Sequence, residues 1–314
     1  MMHYLVILLD DTSVAYCHAD NPLEERCLMP LDTLRKAILY GMKENLMIQY
    51  VVPEYKLPEE YNLLMESIDH ITIGRDIAIY NEVPDAITAE IAVLRLTIVE
   101  FIARQHDIAA LLPKPKRLNI CLRDIDSFKD AQTEDYKQAL ATLNAKVLEM
   151  FKQGRQPQLN IITDRLQLDM MHNCNAGIGN ITVAPNGKFY LCPAFYYNER
   201  MGINNRLNHH KPSSDYSIGD LEIGLHIPNQ RLLKLDNAPL CRICDAYQCR
   251  RCVWLNQRLT WDNNTPSHQQ CVIAHLERNA TRYLQQQLRN AGSSVTNEIK
   301  EITYLDPFDV REQF

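Results

Sequence analysis

Five short apolar runs punctuate the first half of the chain, with helical periodicity between them, and no other feature restricts the fold as strongly. Residues 4–9 are continuously apolar and end at Asp10 and Asp11, as a strand buried on both faces would. Residues 46–52 form a second run, stopped by Pro53, and residues 70–74, 117–124 and 159–163 form three more. Between them Leu31, Leu34, Ile38 and Met42 recur at helical spacing behind Asp32 as a candidate cap, and Pro58 suits the first turn of a short helix through Leu63 and Ile68. Asp85 precedes an amphipathic stripe of Ile87, Ile91, Leu94, Ile98 and Phe101, and Tyr136, Leu140, Leu143, Val147 and Phe151 mark a further helix. Strand and helix in alternation predict βαβ units and a parallel sheet, with any site at the carboxyl ends of the strands. A partial α/β barrel and an open sheet both satisfy the pattern.

From residue 166 the composition shifts to Asn, Cys, Gly, Tyr and Pro in short runs. Asn180 to Val183 and Lys188 to Leu191 flank Pro185-Asn186-Gly187, a hairpin signal because Asn and Gly tolerate the positive φ of a tight turn. Residues 198–216 read as a surface loop, and Val272, Leu276, Ala280, Tyr283 and Leu284 as a closing helix after Cys271. Two domains are expected, an α/β half over 1–165 and a cysteine-rich half over 166–290, with a weakly patterned tail over 291–314.

A net charge of −6 offers no basic footprint for nucleic acid. The apolar opening is too short for a signal h-region and lacks a preceding Lys or Arg, so a cytoplasmic protein without a membrane partner is expected. GxGxxG, GxxxxGK and HExxH are absent, which removes the minimum residues of nucleotide-binding and zinc-protease readings.

Seven of the ten cysteines lie between residues 174 and 271. Cys174 stands alone, Gly187 precedes Cys192 by five positions, CRICDAYQCRRC supplies Cys241, Cys244, Cys249 and Cys252, and Cys271 ends the set. Two cysteines separated by two residues can turn around one metal atom, so this grouping suits an iron–sulfur cluster or zinc. A reducing compartment makes ligands or buried thiols the expected role rather than a disulfide framework.

The order of these residues, with NITVAPNGKFYLCPAF, SIGDLEIGL and CRICDAYQC in sequence, resembles the SPASM domain that follows the barrel in peptide-modifying radical SAM enzymes, over about residues 171–286. The first half carries no Cx3Cx2C; its early loop has only Cys17 and Cys27, separated by nine residues. With LVILLDDTSVAYCHADNP, LMPLDTLRKAI and KENLMIQYVVP, the whole resembles the CXXX repeat peptide maturase family, radical-SAM-like proteins that lack the SAM-cluster motif. The resemblance implies a degenerate partial (β/α) barrel followed by a small SPASM-like domain. It also implies two auxiliary [4Fe–4S] clusters, one on Cys241, Cys244, Cys249 and Cys271 and one on Cys174, Cys192 and Cys252, and no use of SAM by this chain itself. The implied partners are a ribosomally made, cysteine-repeat precursor peptide and a true radical SAM protein; whether this chain is itself an enzyme stays open. His172 is a candidate fourth ligand of the three-cysteine set. The CxxCx4CxxC run could instead hold a single zinc and serve a non-catalytic peptide-binding or partner-docking module.

Several residues have simpler readings beside the functional one. Cys17 and His18, with Cys27, could meet substrate or be structural, and Asp10 and Asp11 could end a strand as turn formers. Cys121 lies on an apolar strand and reads as core. Arg242, Arg250 and Arg251 could offset cluster charge or grip an acidic leader, or form a solvated face. His209 and His210 read as loop surface, and Tyr247, Trp254 and Trp261 as packing around the clusters.

Overall fold

The protein is described from a computed structural model, which covers residues 2–168, 174–202, 216–249 and 251–292. Along the chain the elements are β1 (Tyr4–Leu8), α1 (Leu31–Lys43), β2 (Met47–Val51), α2 (Glu59–Met65), β3 (His70–Ile73), β4 (Ile77–Tyr80) and β5 (Ile91–Leu96). Then come α3 (Ile98–Ala103), α4 (Gln105–Leu111), β6 (Arg117–Leu122), α5 (Thr133–Lys152) and β7 (Gln158–Leu159). The cysteine-rich half contributes β8 (Asn180–Val183), β9 (Phe189–Tyr190), α6 (Pro193–Arg200), β10 (Gly219–Asp220), β11 (Gly224–Leu225), α7 (Val253–Thr260) and α8 (His268–Asn290). The fold is mixed α/β, and most of its strand pairs are parallel. No helix among the described residues is long and apolar enough to cross a membrane.

The chain forms two compact units, each assembled from separated segments. The first is Met1–Ile79, Asn175–Lys234 and Trp261–Asn263; the second is Tyr80–Cys174, Leu235–Thr260 and Asn264–Phe314.

In the first unit β1 is central. It pairs in parallel with β2 on one side, Leu5 opposite Ile48, and with β8 on the other, Leu5 opposite Ile181. β3 extends the sheet beyond β2, and β9 turns back antiparallel on β8. The expected hairpin is present, with Gly187 at φ +76°. Leu5, Ile7, Leu8 and Leu9 are fully buried, as a strand enclosed on both faces requires. α1 lies so close to the sheet that a Cβ on Gly41 would stand 2.9 Å from Ile48 Cδ1, which explains glycine inside a helix. Asp32 sits in the first turn of α1 without a capping bond, and Pro30 occupies the N-cap position. β10 and β11 form a separate antiparallel pair.

In the second unit β5, β6 and β7 run parallel, Ala92 opposite Leu118 and Leu118 opposite Leu159. The stripe from Ile87 to Phe101, expected as one helix, is instead β5 followed by α3. Ile91 to Leu96 is apolar at nearly every position, so a sheet can bury both its faces, and Thr97 then starts a helix by a reciprocal bond with Glu100. The run at 159–163 gives only a two-residue strand before a 3₁₀ turn at Thr163–Gln167, and β4 was not anticipated. Cys121 is buried on β6, as expected.

Candidate functional site

Six of the seven grouped cysteines fall in the second unit, and the dense run from Cys241 to Cys252 shows how its backbone is shaped for sulfur. The Cys241 amide donates to the Ala238 carbonyl at 3.0 Å and the Cys244 amide to the Cys241 carbonyl at 3.1 Å, which closes a tight turn between the first two thiols. The Ala246 amide then points at Cys244 Sγ at 3.4 Å, and the Arg251 amide at Cys249 Sγ at 3.3 Å. Each sulfur thus receives the N–H two residues further on, a bond that favours negative charge on the sulfur. Between them Gln248 takes a left-handed φ of +56°, a conformation that costs a non-glycine residue about 1 kcal/mol. The Gln248 carbonyl accepts from Arg165 Nη2 at 3.1 Å, which holds that turn.

Cys244 and Cys249 both pack against buried Tyr247, together with Leu168 and Leu235. Burial pushes the Cys244 thiol up to about 12, and nearby Cys249, Asp245 and Cys241 add to the rise while the Ala246 N–H opposes it. A bare thiolate is therefore disfavoured here; a bound cation would reverse that balance, since a coordinated thiol loses its proton outright.

α8 closes over the run. Its N-terminus is a capping box in which Ser267 and Gln270 exchange bonds, a Ser-x-x-Gln pattern visible in the sequence. The helix begins at His268, so Cys271 lies within its first turn rather than before it. Four residues on, buried His275 brings Nε2 to 3.6 Å from Cys244 Sγ. Sequence reasoning overlooked this histidine, although the Cys271-x3-His275 spacing puts both side chains on one helical face. Asp245 is buried beside Cys244; it accepts from Arg278 Nη1 at 2.8 Å and is also bound by Arg282. Arg165 and Glu277, both inaccessible, pair at 2.9 Å, and Glu277 also accepts the Tyr136 hydroxyl at 2.9 Å.

The remaining predicted residues are spread more widely. Cys174 is exposed and Cys252 half-buried just before α7, both in the second unit, whereas half-buried Cys192 belongs to the first unit, at the N-cap of α6. Arg251 is buried and donates to Asn264, and Arg242 is exposed. Trp254 is buried, but Trp261 is half exposed with φ +62°. Arg250, His172, His209 and His210 lie outside the described residues. All ten cysteines are without disulfides.

At the carboxyl end of β1 in the first unit, Asp10 and Asp11 are buried. Asp10 makes an Asx turn to the Thr12 amide at 2.8 Å and accepts the Tyr55 hydroxyl at 2.9 Å. Asp11 accepts from Arg200 Nε at 3.0 Å and Nη2 at 2.8 Å, and from the Tyr196 hydroxyl. Burial and the bond to Asp11 push the Tyr196 hydroxyl well above the usual phenol range. These carboxylates therefore anchor loop and helix: Asp11 ties the end of β1 to α6, whose first turn follows Cys192. Cys17 and His18 are half-buried in the loop after β1, and Cys27 is exposed, its thiol pushed up by burial and by Asp11 and Asp10 despite Arg200.

A cavity of about 500 Å³ opens in the second unit. Its lining includes Arg117, Asp164, Gln158, Leu168 and Gln248, so one wall is the residue that precedes Cys249. Arg117 and Asp164 form a two-pronged ion pair at 2.6 and 3.3 Å. Gln248 Oε1 is buried with no hydrogen-bond partner.

Among the described residues, no three His, Cys, Asp or Glu side chains are grouped closely enough to hold a metal ion. Thiols are the donor type a thiophilic metal takes, and the Cys244 and Cys249 sulfurs each receive a main-chain amide. No protein-family model matches the chain, and comparison with curated proteins gives no match.

Proposed function

We propose that this protein takes part in maturing a ribosomally made, cysteine-repeat peptide, together with a radical SAM partner, through thiolate-held iron–sulfur centres. The observation that carries this reading is the backbone around Cys244 and Cys249, where the Ala246 and Arg251 amides are directed at the sulfurs of two cysteines packed on one tyrosine. The donor groups would be Cys241, Cys244, Cys249 and Cys271 for one centre and Cys174, Cys192 and Cys252 for the other. When bound, such centres supply electron transfer with the partner or an iron site that accepts a substrate thiolate.

This chain's own residues supply the rest. The cavity beside Gln248 is of a size to take a few residues of a peptide, and its amide and ion-pair lining suits a polar main chain better than an apolar ligand.

Metal content and colour test the reading directly. Protein purified without air should absorb broadly near about 400 nm and carry about eight irons. Cys174→Ala and Cys192→Ala should each abolish peptide binding or maturation while far-UV circular dichroism stays that of the parent. Colourless protein holding one or two zinc ions would replace this reading with a zinc-stabilised docking module. Unchanged maturation by both variants would remove the role given to the second centre.

A further inference from the structure

We infer that the cavity beside Gln248 selects an uncharged, internal stretch of peptide, whose main-chain carbonyl is met by Gln158 Nε2 and whose main-chain N–H is met by Asp164. The inference rests on the reading that this chain handles a peptide, and it holds whether the cysteines carry iron, zinc or no metal.

The polar wall of the cavity is electrically balanced. Arg117 opens β6 and Gln158 opens β7, so the cavity lies at the amino ends of these strands, within one unit. The Arg117 guanidinium is engaged by that wall: Nε donates to Asn119 Oδ1 at 3.1 Å, Nη1 to Gln158 Oε1 and to Asp164 Oδ1 at 3.3 Å each, and Nη2 to Asp164 Oδ2 at 2.6 Å. Among the described residues of the lining, Arg117 and Asp164 are the two ionisable ones, and their charges cancel. A charged ligand group taken into this space would leave water without gaining a counter-charge, a cost that a neutral group does not carry. Phosphorylated ligands and free carboxylates are disfavoured for the same reason.

The wall also has a fixed polarity. A guanidinium only donates, so the end of Gln158 that meets Arg117 is its oxygen, and Nε2 is the donor left for a ligand. Each Asp164 oxygen takes one Arg117 N–H and keeps a second lone pair, which makes Asp164 the neighbouring acceptor. A donor and an acceptor gathered on one guanidinium, with Phe151, Leu166 and Leu168 in the same lining, match a secondary amide that carries an apolar side chain. A residue in the interior of a peptide is such a group.

Strand addition does not compete with this mode. β7 is the outermost strand beside β6, an edge to which an extended peptide could pair. Its outward groups are already used: the Leu159 amide donates to Thr163 Oγ1 at 2.7 Å, the Leu159 carbonyl accepts from the same hydroxyl at 3.2 Å, and Pro157 has no N–H. Recognition therefore falls to the side chains of the cavity.

The experiment titrates the full chain calorimetrically with acetyl-Ala-Leu-Ala-amide, with the same capped peptide bearing Glu or Lys at its centre, and with uncapped Ala-Leu-Ala. Wild type is compared with Gln158→Glu, which keeps the oxygen that Arg117 bonds but has no N–H to donate and adds a negative charge; urea unfolding reports whether the variant is folded. The wild type should bind the capped leucine peptide about tenfold or more tighter than the other probes. Gln158→Glu should lose about tenfold on that peptide, the scale of one hydrogen bond, and gain affinity for the lysine peptide. If the variant does not fold, the charge preference of the wild type still decides. Equal affinity for all the probes, no binding by the wild type, or an unchanged leucine-peptide affinity in folded Gln158→Glu would each overturn the inference. Full iron without peptide binding would remove this inference and leave the cluster reading; selective binding by iron-free protein would do the reverse.

Discussion

Glu277→Leu strips the buried guanidinium of Arg165 of its carboxylate and removes an acceptor of the Tyr136 hydroxyl. The two charged side chains are 0% and 1% exposed, so water cannot enter to replace the lost partner. Breaking a buried ion pair from one side destabilises a protein by about 3–5 kcal/mol, because the remaining charge is left in a poorly polarisable interior. Arg165 would keep its bonds to the Ile161 and Gln248 carbonyls, which places the expected loss near the lower end, about 3 kcal/mol. The double variant Arg165→Met/Glu277→Leu removes both charges at similar volume and should recover at least half of that loss, since a well-packed apolar pair replaces a buried ion pair at little or no net cost. Urea unfolding of the full chain, followed by tryptophan fluorescence and far-UV circular dichroism, measures both; the single variant should lower the midpoint by about 1 M or more. A loss under about 1 kcal/mol for Glu277→Leu, or a double variant no more stable than the single one, would refute the account of this pair as a buried charge clamp.

Two further outcomes follow from backbone geometry. Thr97→Ala removes the side chain that accepts the Glu100 amide and should destabilise the second unit by about 1 kcal/mol in the same assay. Burial alone would raise the Glu100 carboxyl, but its bonds with Thr97 and the Arg123 charge hold it below the usual glutamate range. A lowered folded value means that this stabilisation is present above the unfolded pKa and is lost as pH falls through the folded one. The wild-type and Thr97→Ala unfolding midpoints should therefore converge in acid, and a gap that stays constant from neutral pH downward would contradict the assignment. Gly177 has φ +78°, and a Cβ there would stand 2.5 Å from Leu233 Cδ1 and 2.6 Å from Leu191 Cδ2. Gly177→Ala should thus lower stability by about 1–3 kcal/mol, and a thermal midpoint equal to the parent's would show that the loop relaxes freely.

What the sequence determined by itself is what depends on neighbours along the chain. Residues 4–9 had to be a buried strand because their apolar run offers both faces to a core, and Asn186-Gly187 had to turn because few other residues accept positive φ so readily. The cysteine spacing likewise gave the expectation of a thiol-held metal centre, which the proposed function carries forward. The T-x-x-E and S-x-x-Q caps at Thr97 and Ser267 were also legible, and the first places the start of the helix expected over Ile87 to Phe101 at Ile98. Periodicity misled there because Ile91, Leu94 and Ile98 fit a helical stripe while Ala92, Val93 and Leu96 between them are also apolar, a case that only the space available in a sheet can resolve.

Tertiary structure decided the rest. Nothing local told that Asp11 would hold Tyr196 and Arg200 from far along the chain, or that Asp245 would bind Arg278 and Arg282. Those pairs are chosen by burial: once apolar packing brings α8 onto the cysteine run, a charged group taken from water must find its opposite. His275 belongs to this class. Its meeting with Cys244 is a property of two segments 31 residues apart, tied by Arg278 and Arg282 on Asp245, and spacing within either segment alone could not have shown it.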